Sequence, residues 1–318
     1  MIGVFGAGAF GTALAIALAK TGERVTLRAR SVAQADDMAK QRINAAYLPD
    51  ATFPDTLSVT CEIGDLAASD VILVAVPLQQ VRAALSSCAL PKVPIVACCK
   101  GIELSSGLGP TGVIGEVMQD AVTAILTGPS FATDIAIGRP TALTLACKDT
   151  RIGARLQDQL TTPTLRLYRT TDTIGAELGG ALKNVFAIAC GAVIGAGLGD
   201  SARAATMTRG FAEMQRIGTA FGARTDTLMG LSGLGDLALT CTSDLSRNYR
   251  LGLSLGQGKP FDPNVTVEGA ATARAMADIA DKRGLDVPLT RTVTHLLDGS
   301  TTISDAIGDL MTRPLKEE

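Results

Sequence analysis

Gly6-Ala7-Gly8-Ala9-Phe10-Gly11 follows the apolar run Met1-Ile2-Gly3-Val4-Phe5 and precedes Thr12-Ala13-Leu14-Ala15-Ile16-Ala17-Leu18. The order is strand, glycine-rich turn, helix. In such a unit the first glycine permits the tight turn, the second lets backbone approach a pyrophosphate, and the third lets the helix pack close on the strand. Unpaired N–H groups at the helix start then face the phosphates. A glycine-rich turn before any buried helix can look alike, but here both flanking elements are present, so Gly6, Gly8 and Gly11 mark a dinucleotide site.

At 318 residues the chain exceeds the usual limit for one hydrophobic core, and two domains are expected. Hydrophobic residues make up 47% but aromatics only 3%, so the core must be built from Ala, Val, Leu and Ile with many glycines, a composition suited to tightly packed helices. A net charge of −2 gives no basic footprint for nucleic acid or an anionic membrane surface, which leaves a small-molecule ligand. The seven cysteines are odd in number and lack metal-ligand spacing, as small hydrophobes in a reducing cytoplasm would be, and no metal is expected. Met1 enters the first strand without a basic leader, and the apolar stretch Val185–Gly199 is too short to span a bilayer, so a cytoplasmic protein is expected.

Between Met1 and about Thr170, short β-branched runs alternate with helical patterns: Arg24–Arg28, Val71–Val76, Val93–Ala97, Val122–Leu126, Thr141–Ala146 and Leu165–Tyr168. This alternation predicts an α/β fold with an N-terminal Rossmann-like, doubly wound, mostly parallel sheet. After Thr171 a 3.6-residue period dominates, as in Ala204, Met207, Phe211, Met214, Ile217 and Phe221 on one face. The expected division is a dinucleotide-binding domain over 1–172 and an all-helical C-terminal domain over 173–318. Helix stops fall at Gly222, Gly284 and Gly299, with a break at Gln257–Asn264. The Ala and Met content of the helical half points to a homodimer.

An NAD site usually carries Asp or Glu about 20 residues after the glycines, whereas Arg there accommodates a 2′-phosphate. Strand two ends Leu27-Arg28-Ala29-Arg30 with no carboxylate before Asp36, which favours NADP(H) while leaving NAD(H) possible. The other reading makes both arginines solvated loop charges.

Hydride transfer to a carbonyl carbon needs a group that handles the oxygen's proton, and His is the usual choice. The single histidine, His295, lies in the pattern Leu289–Leu297 far from every glycine-rich motif and reads as a helix-flank residue. Lys183 is the better candidate. Ile174, Leu178, Leu182, Val185, Phe186 and Ala189 form an apolar stripe, and Lys183 falls outside it beside Ala176, Gly180 and Ala187. Small neighbours leave room for a ligand and could desolvate the amine, lowering its pKa. The competing reading is an exposed lysine on a helix edge.

Two further groups carry chemistry. Asp236 sits among apolar residues in Leu231–Thr242, followed by Ser246-Arg247-Asn248, whose donors suit a phosphate unless Arg247 simply pairs Asp244. Lys100 and Ser130 each follow a strand, at the carboxyl edge where open α/β sheets bind ligands; Ser130 could instead cap the next helix.

The fingerprint, Cys99-Lys100-Gly101-Ile102-Glu103, Thr127-Gly128-Pro129-Ser130-Phe131-Ala132, Gly179-Gly180-Ala181-Leu182-Lys183-Asn184, Gly233-Leu234-Gly235-Asp236 and Ser246-Arg247-Asn248 occur in one order along the chain. With Asn44–Pro49 and Val267-Glu268-Gly269, the whole sequence resembles the bacterial-type NAD(P)-dependent sn-glycerol-3-phosphate dehydrogenases. That resemblance implies interconversion of dihydroxyacetone phosphate and sn-glycerol 3-phosphate, feeding phospholipid synthesis. It implies Lys183 as proton acceptor and donor, held by Asp236. Lys100, Gly128, Ser130, Asn184, Asp236, Ser246, Arg247 and Asn248 would line the substrate site with it, and Ala9, Phe10, Arg30, Lys100, Ala132, Arg247 and Glu268 would contact the cofactor. Ala9 stands where the family often has Ser, Arg28 replaces an aromatic, and Cys98-Cys99 replace small or hydroxyl residues.

A β-hydroxyacid or 6-phosphogluconate-type dehydrogenase is the alternative, since it can join a similar N-terminal domain to helices and use Lys-Asn; the 236–248 segment argues against it. A nucleotide-sensing binding protein would retain the fold but has no need of Lys183.

Overall fold

A computed structural model describes residues 1–311. The last residues of the expected second domain, 312–318, lie outside the described residues.

The sheet starts as the sequence predicts. β1 (Ile2–Phe5) is fully buried, α1 (Ala9–Ala19) follows the glycine turn, and β2 (Val25–Arg28) pairs parallel to β1. α2 (Val32–Gln41) is N-capped by Ser31, whose hydroxyl accepts from the Gln34 amide. Two elements then appear that the periodicity did not announce. A short antiparallel hairpin joins β3 (Ile43–Asn44) to β4 (Leu48–Thr52), and β5 (Leu57–Thr60) adds an edge strand beside β2. Pro49 and the charged or polar neighbours in 49–56 mask these strands in a composition scan.

β6 (Val71–Val74), α3 (Leu78–Ser86), β7 (Ile95–Ala97), α4 (Pro110–Val117), β8 (Thr123–Thr127), α5 (Ala132–Ile137), β9 (Thr141–Cys147), α6 (Thr150–Leu160) and β10 (Leu165–Thr170) complete the layer. The strand order is β10-β9-β8-β7-β6-β1-β2-β5. Within this eight-stranded sheet all pairings are parallel except β8 with β9, so β9 and β10 run against the other six. The tight Gly138 turn after α5, with φ of 86°, delivers the chain to β9 in that reversed sense.

β1, β7 and β8 therefore end on one edge, bringing Gly6, Lys100 and Gly128 to the same side of the sheet. One buried cluster, built on Ile2, Leu14, Leu27, Leu143 and Leu156, fills the face under α1, and a second, built on Ile72, Val81, Ile95 and Val113, fills the face under α3 and α4.

From Thr173 onward the elements are helical: α7 (Thr173–Gly195), α8 (Gly199–Ala220), α9 (Thr225–Met229), a π turn over Leu231–Gly235, α10 (Asp236–Cys241), α11 (Arg247–Gly256), α12 (Glu268–Arg283), α13 (Pro288–Asp298) and α14 (Ile303–Met311). Gly284 and Gly299 end α12 and α13 in the left-handed conformation, as the stop signals predict. α7 is the axis of a third core containing Leu182, Phe186, Met214, Ile217, Met276 and Val293. The expected stripe is too narrow a description: nearly every position of α7 is buried, while Ile174, placed in that stripe, is partly exposed. A helix apolar all round is a core helix. By length and composition α7 could also cross a membrane, but 83% of its apolar window is covered by the rest of the protein. Small residues let it be surrounded so closely: a Cβ on Gly252 of α11 would lie 1.9 Å from the Ile188 carbonyl oxygen.

Candidate active site

The glycine turn divides its work as the sequence suggests, and the division is visible atom by atom. Gly6 has φ of 120°, and a Cβ there would meet the Ala75 carbonyl at 2.8 Å. A Cβ on Gly11 would sit 2.0 Å from the Gly6 carbonyl oxygen. Gly8 is different: no protein atom lies within 4 Å of its missing side chain. The protein itself has no packing need for glycine there, which fits a backbone that must stay open to a pyrophosphate. Gly8 is also the N-cap of α1 and offers no side-chain cap, so the first amides of the helix remain directed at that space. Ala9 and Phe10, both half-buried, form the first turn, and Phe10 packs on the core behind it.

Strand two resolves the arginine pair into unlike residues. The Arg28 guanidinium stacks over Phe5, 4.7 Å from the ring centre, and donates to the Cys61 carbonyl at 3.2 Å. It is a fixture of the sheet edge, which corrects its assignment to the cofactor charge. Arg30 is exposed at the end of β2 and makes no ion pair among the described residues, so it alone of the two keeps a free cation there.

At the centre stands a buried charge cluster. Asp236, at the first turn of α10, is fully buried; its Oδ1 accepts from Lys183 Nζ at 2.6 Å and its Oδ2 from Lys100 Nζ at 2.6 Å. Lys183 is only 7% exposed, which overturns the helix-edge reading. Burial and the neighbouring Lys100 ammonium lower its pKa to about 8, with Asp236 opposing the shift. Lys183 also donates to Thr240 Oγ1 at 2.8 Å, a contact the sequence reading missed although Thr240 is four residues after Asp236 and so shares its helix face. Gly180 explains how strand edge and helix meet: a Cβ there would be 2.7 Å from Thr127 Oγ1 and 3.5 Å from Lys100 Cγ. Lys100 is further held by the Gly128 carbonyl at 3.4 Å, and Ser130 Oγ donates to that same carbonyl at 3.3 Å instead of capping α5, whose N-cap is Phe131. Ala132 begins that helix.

The 246–248 segment is divided by the structure. Ser246 is buried and N-caps α11, its hydroxyl accepting from the Tyr249 amide at 3.2 Å. Arg247 is exposed and forms no ion pair with Asp244 among the described residues, so its simplest non-ligand role is absent. Asn248 Nδ2 donates to Asn184 Oδ1 at 2.9 Å, and Asn248 Oδ1 accepts from the Gly269 amide at 2.9 Å. The two asparagines thus tie α7 and α11 to the start of α12, where Glu268 stands. Burial pushes the Glu268 carboxyl up, while Arg247, Lys100 and Lys183 pull the other way, so this carboxyl lies in the field of the whole cluster. His295 is exposed in the last turn of α13. Five of the cysteines are buried and all seven are free thiols.

An open dinucleotide turn facing a desolvated lysine across the sheet edge defines a nicotinamide-dependent dehydrogenase with a helical partner domain. Which one is settled by comparison. Residues 1–153 match the model for the NAD-dependent glycerol-3-phosphate dehydrogenase N-terminus and residues 172–308 the model for its C-terminus. The chain belongs to the NAD-dependent glycerol-3-phosphate dehydrogenase family. It is 62% identical to a glycerol-3-phosphate dehydrogenase (NAD(P)+) of Ruegeria sp. strain TM1040, over 100% of this chain and 99% of that one. It is 55% identical to the protein of the same name from Cereibacter sphaeroides, over the full length of both. The crystal structure of glycerol-3-phosphate dehydrogenase from Coxiella burnetii superposes with a TM-score of 0.91 at 36% identity, covering 98% of each chain.

Proposed function

We propose that the protein interconverts dihydroxyacetone phosphate and sn-glycerol 3-phosphate with NAD(P)H, in the cytoplasm, as a source of glycerol 3-phosphate for phospholipid synthesis. The observation that carries this reading is Lys183, buried, directed at Asp236, and close to neutrality in its pKa. A bound nicotinamide supplies or accepts the hydride at C2 of the substrate. Lys183 protonates the C2 oxygen during reduction and removes the proton in the reverse direction, a transfer that works best when the group's pKa lies near ambient pH.

Asp236 orients Lys183 and offsets the mutual repulsion of the two ammonium groups. Lys100 stands on the other oxygen of that carboxylate, positioned to stabilise negative charge developing on the C2 oxygen. Arg247, without a salt bridge among the described residues, grips the phosphate with Ser246 and Asn248, so binding energy remote from C2 holds the carbonyl in place. Gly128, Ser130 and Asn184 line the same site. On the cofactor side Gly6, Gly8, Ala9, Phe10 and Gly11 receive the pyrophosphate, Arg30 the 2′-phosphate of NADP(H), and Ala132, Lys100, Arg247 and Glu268 the nicotinamide half. The same reading gives cofactor binding to residues 1–172 and substrate binding and catalysis to residues 173–318, and the Ala and Met content of the helical half supports a homodimer built on it.

Initial rates of dihydroxyacetone phosphate reduction with NADPH and with NADH test the reading. Turnover with either supports it, a preference for NADPH supports the role of Arg30, and activity on 3-hydroxy acids without activity on dihydroxyacetone phosphate would overturn it.

A further inference from the structure

The β3–β4 hairpin lies beside the glycine turn and sends one side chain against it. Leu48, Ala51 and Phe53 anchor the hairpin in the buried cluster that also holds Ala7 and Leu14. Just before β3, Arg42 takes a left-handed conformation with φ of 56°, and its guanidinium donates to the Leu57 carbonyl at 2.9 Å and to the Phe53 carbonyl at 3.3 Å. The hairpin ladder shifts register between Ile43 and Asn44, and Asn44 is left only 1% exposed. Its amide nitrogen is fully used: Nδ2 donates to the Ala7 carbonyl at 3.0 Å and to Thr12 Oγ1 of α1 at 2.9 Å.

The Ala7 carbonyl has a second donor. Gln34 Nε2 of α2 reaches it at 3.3 Å, while Gln34 Oε1 accepts from the Arg30 amide at 3.4 Å. Two side chains from different elements thus converge on one peptide of the turn, the one joining Ala7 to Gly8. That peptide is trans, so its C=O and N–H point in opposite directions. With the carbonyl held by Asn44 and Gln34, the Gly8 N–H is turned the other way, and it has no acceptor among the described residues. An unpaired amide at the head of a helix is the group that a phosphate oxygen takes. Glycine itself does little to restrain rotation of this peptide, so its direction depends on what grips the carbonyl.

We propose that Asn44 is a positioning residue for the cofactor: by fixing the Ala7 carbonyl, with Gln34 as second support, it aims the Gly8 amide at the pyrophosphate and so sets the affinity for NADPH and NADH alike, an inference that rests on the proposed function. Asn44 acts from behind the turn, through the Ala7–Gly8 peptide. Without it the peptide is free to turn, and fixing its direction becomes a cost of binding.

Equilibrium titration of the full chain, followed by the fluorescence of bound NADPH and NADH, tests this. Asn44→Ala should weaken both cofactors by about tenfold, and by the same factor, since both carry the pyrophosphate. With cofactor saturating, kcat and the KM for dihydroxyacetone phosphate should be unchanged. The variant also loses a buried contact and should melt earlier, so Thr12→Val provides the comparison. It removes the other acceptor of the same Nδ2, leaves the bond to Ala7 in place, and should lower Tm with unaltered cofactor affinity. Gln34→Met, at a half-buried position, removes the second donor to the carbonyl; it should weaken both cofactors by a smaller factor with Tm unchanged, and it carries the test if Asn44→Ala does not fold. Undiminished affinity in Asn44→Ala, equal losses in Asn44→Ala and Thr12→Val, or a folded Gln34→Met that binds as the wild type does where Asn44→Ala cannot be made, overturns the inference and leaves the proposed function standing. A wild-type chain that binds neither cofactor overturns both.

Discussion

Lys100 and Lys183 are held on opposite oxygens of the Asp236 carboxylate, each at 2.6 Å. Burial of this cluster brings the Lys183 pKa down to about 8, against the opposing pull of Asp236 and with a further push from the Lys100 ammonium. The sign of the pH effect follows. Reduction needs the protonated amine, so kcat/KM for dihydroxyacetone phosphate should be level below about pH 7 and fall above about pH 8, approaching tenfold per unit. Oxidation of glycerol 3-phosphate needs the neutral amine and should rise through the same region. Initial rates in both directions check this; a reduction profile level to about pH 10 would remove Lys183 from proton transfer.

Replacing Asp236 with Asn leaves two ammonium groups without the carboxylate that bridges them. Removing one partner of a buried pair costs about 3–5 kcal/mol, part of which Lys183 can relieve by deprotonating. Thermal denaturation should therefore show a lower Tm. The kinetic signature is more specific: since Asp236 raises the Lys183 pKa, the inflection in the reduction profile should move to lower pH. An inflection unchanged by D236N would mean that another group titrates.

Lys183→Ala and Arg247→Ala should separate chemistry from binding. The first removes the proton donor and should lower kcat by about 10²–10⁴ with little change in cofactor affinity. The second removes an exposed guanidinium that has no salt bridge among the described residues and should mainly raise KM for the phosphorylated substrate, with Tm unchanged. Steady-state kinetics on both variants decide; near-normal turnover in Lys183→Ala would sink the assignment.

The parts of this site that could be read in the sequence are those in which residue type alone implies geometry. Gly6 and Gly11 must be glycine because backbone carbonyls stand where their Cβ atoms would be, whereas the pattern around Lys183 marks it as a candidate but leaves burial and an exposed helix edge both open until the fold places it 7% exposed. What periodicity could not show is who partners whom across the fold. Lys100 meets Asp236 from 136 residues away, and Arg28 turns back onto Phe5 while Arg30, two residues on, stays free. Thr240 was hidden for another reason, since a threonine in Leu239-Thr240-Cys241-Thr242 reads as an ordinary helix residue until Lys183 is placed against it. The β3–β4 hairpin and β5 are short and polar, and their pairing depends on neighbours rather than on pattern.

The arginine pair gives a test of cofactor choice with an internal control. Arg30→Ala removes a free cation and should raise KM for NADPH about tenfold while leaving NADH nearly unaffected. Arg28→Ala removes a ring-stacked guanidinium and its bond to Cys61, so it should lower Tm yet leave the NADPH-to-NADH ratio unchanged. If Arg28→Ala alters the ratio and Arg30→Ala does not, the 2′-phosphate lies elsewhere.

The glycine turn can be dissected in the same way, because its second and third glycines serve different partners. Gly11→Ala places a Cβ 2.0 Å from the Gly6 carbonyl oxygen, and relief requires α1 to move away from β1. Overpacking of that kind costs about 1–3 kcal/mol or more, so this variant should melt earlier whether or not cofactor is present. Gly8→Ala has φ of −79°, which an L-residue adopts freely, and its Cβ meets no protein atom. It should fold with an almost unchanged Tm and show its loss only as weaker binding of NADPH and NADH alike, since both share the pyrophosphate. Denaturation and cofactor titration on the two variants separate packing from ligand contact, and undiminished affinity in Gly8→Ala would mean that no pyrophosphate rests on this turn.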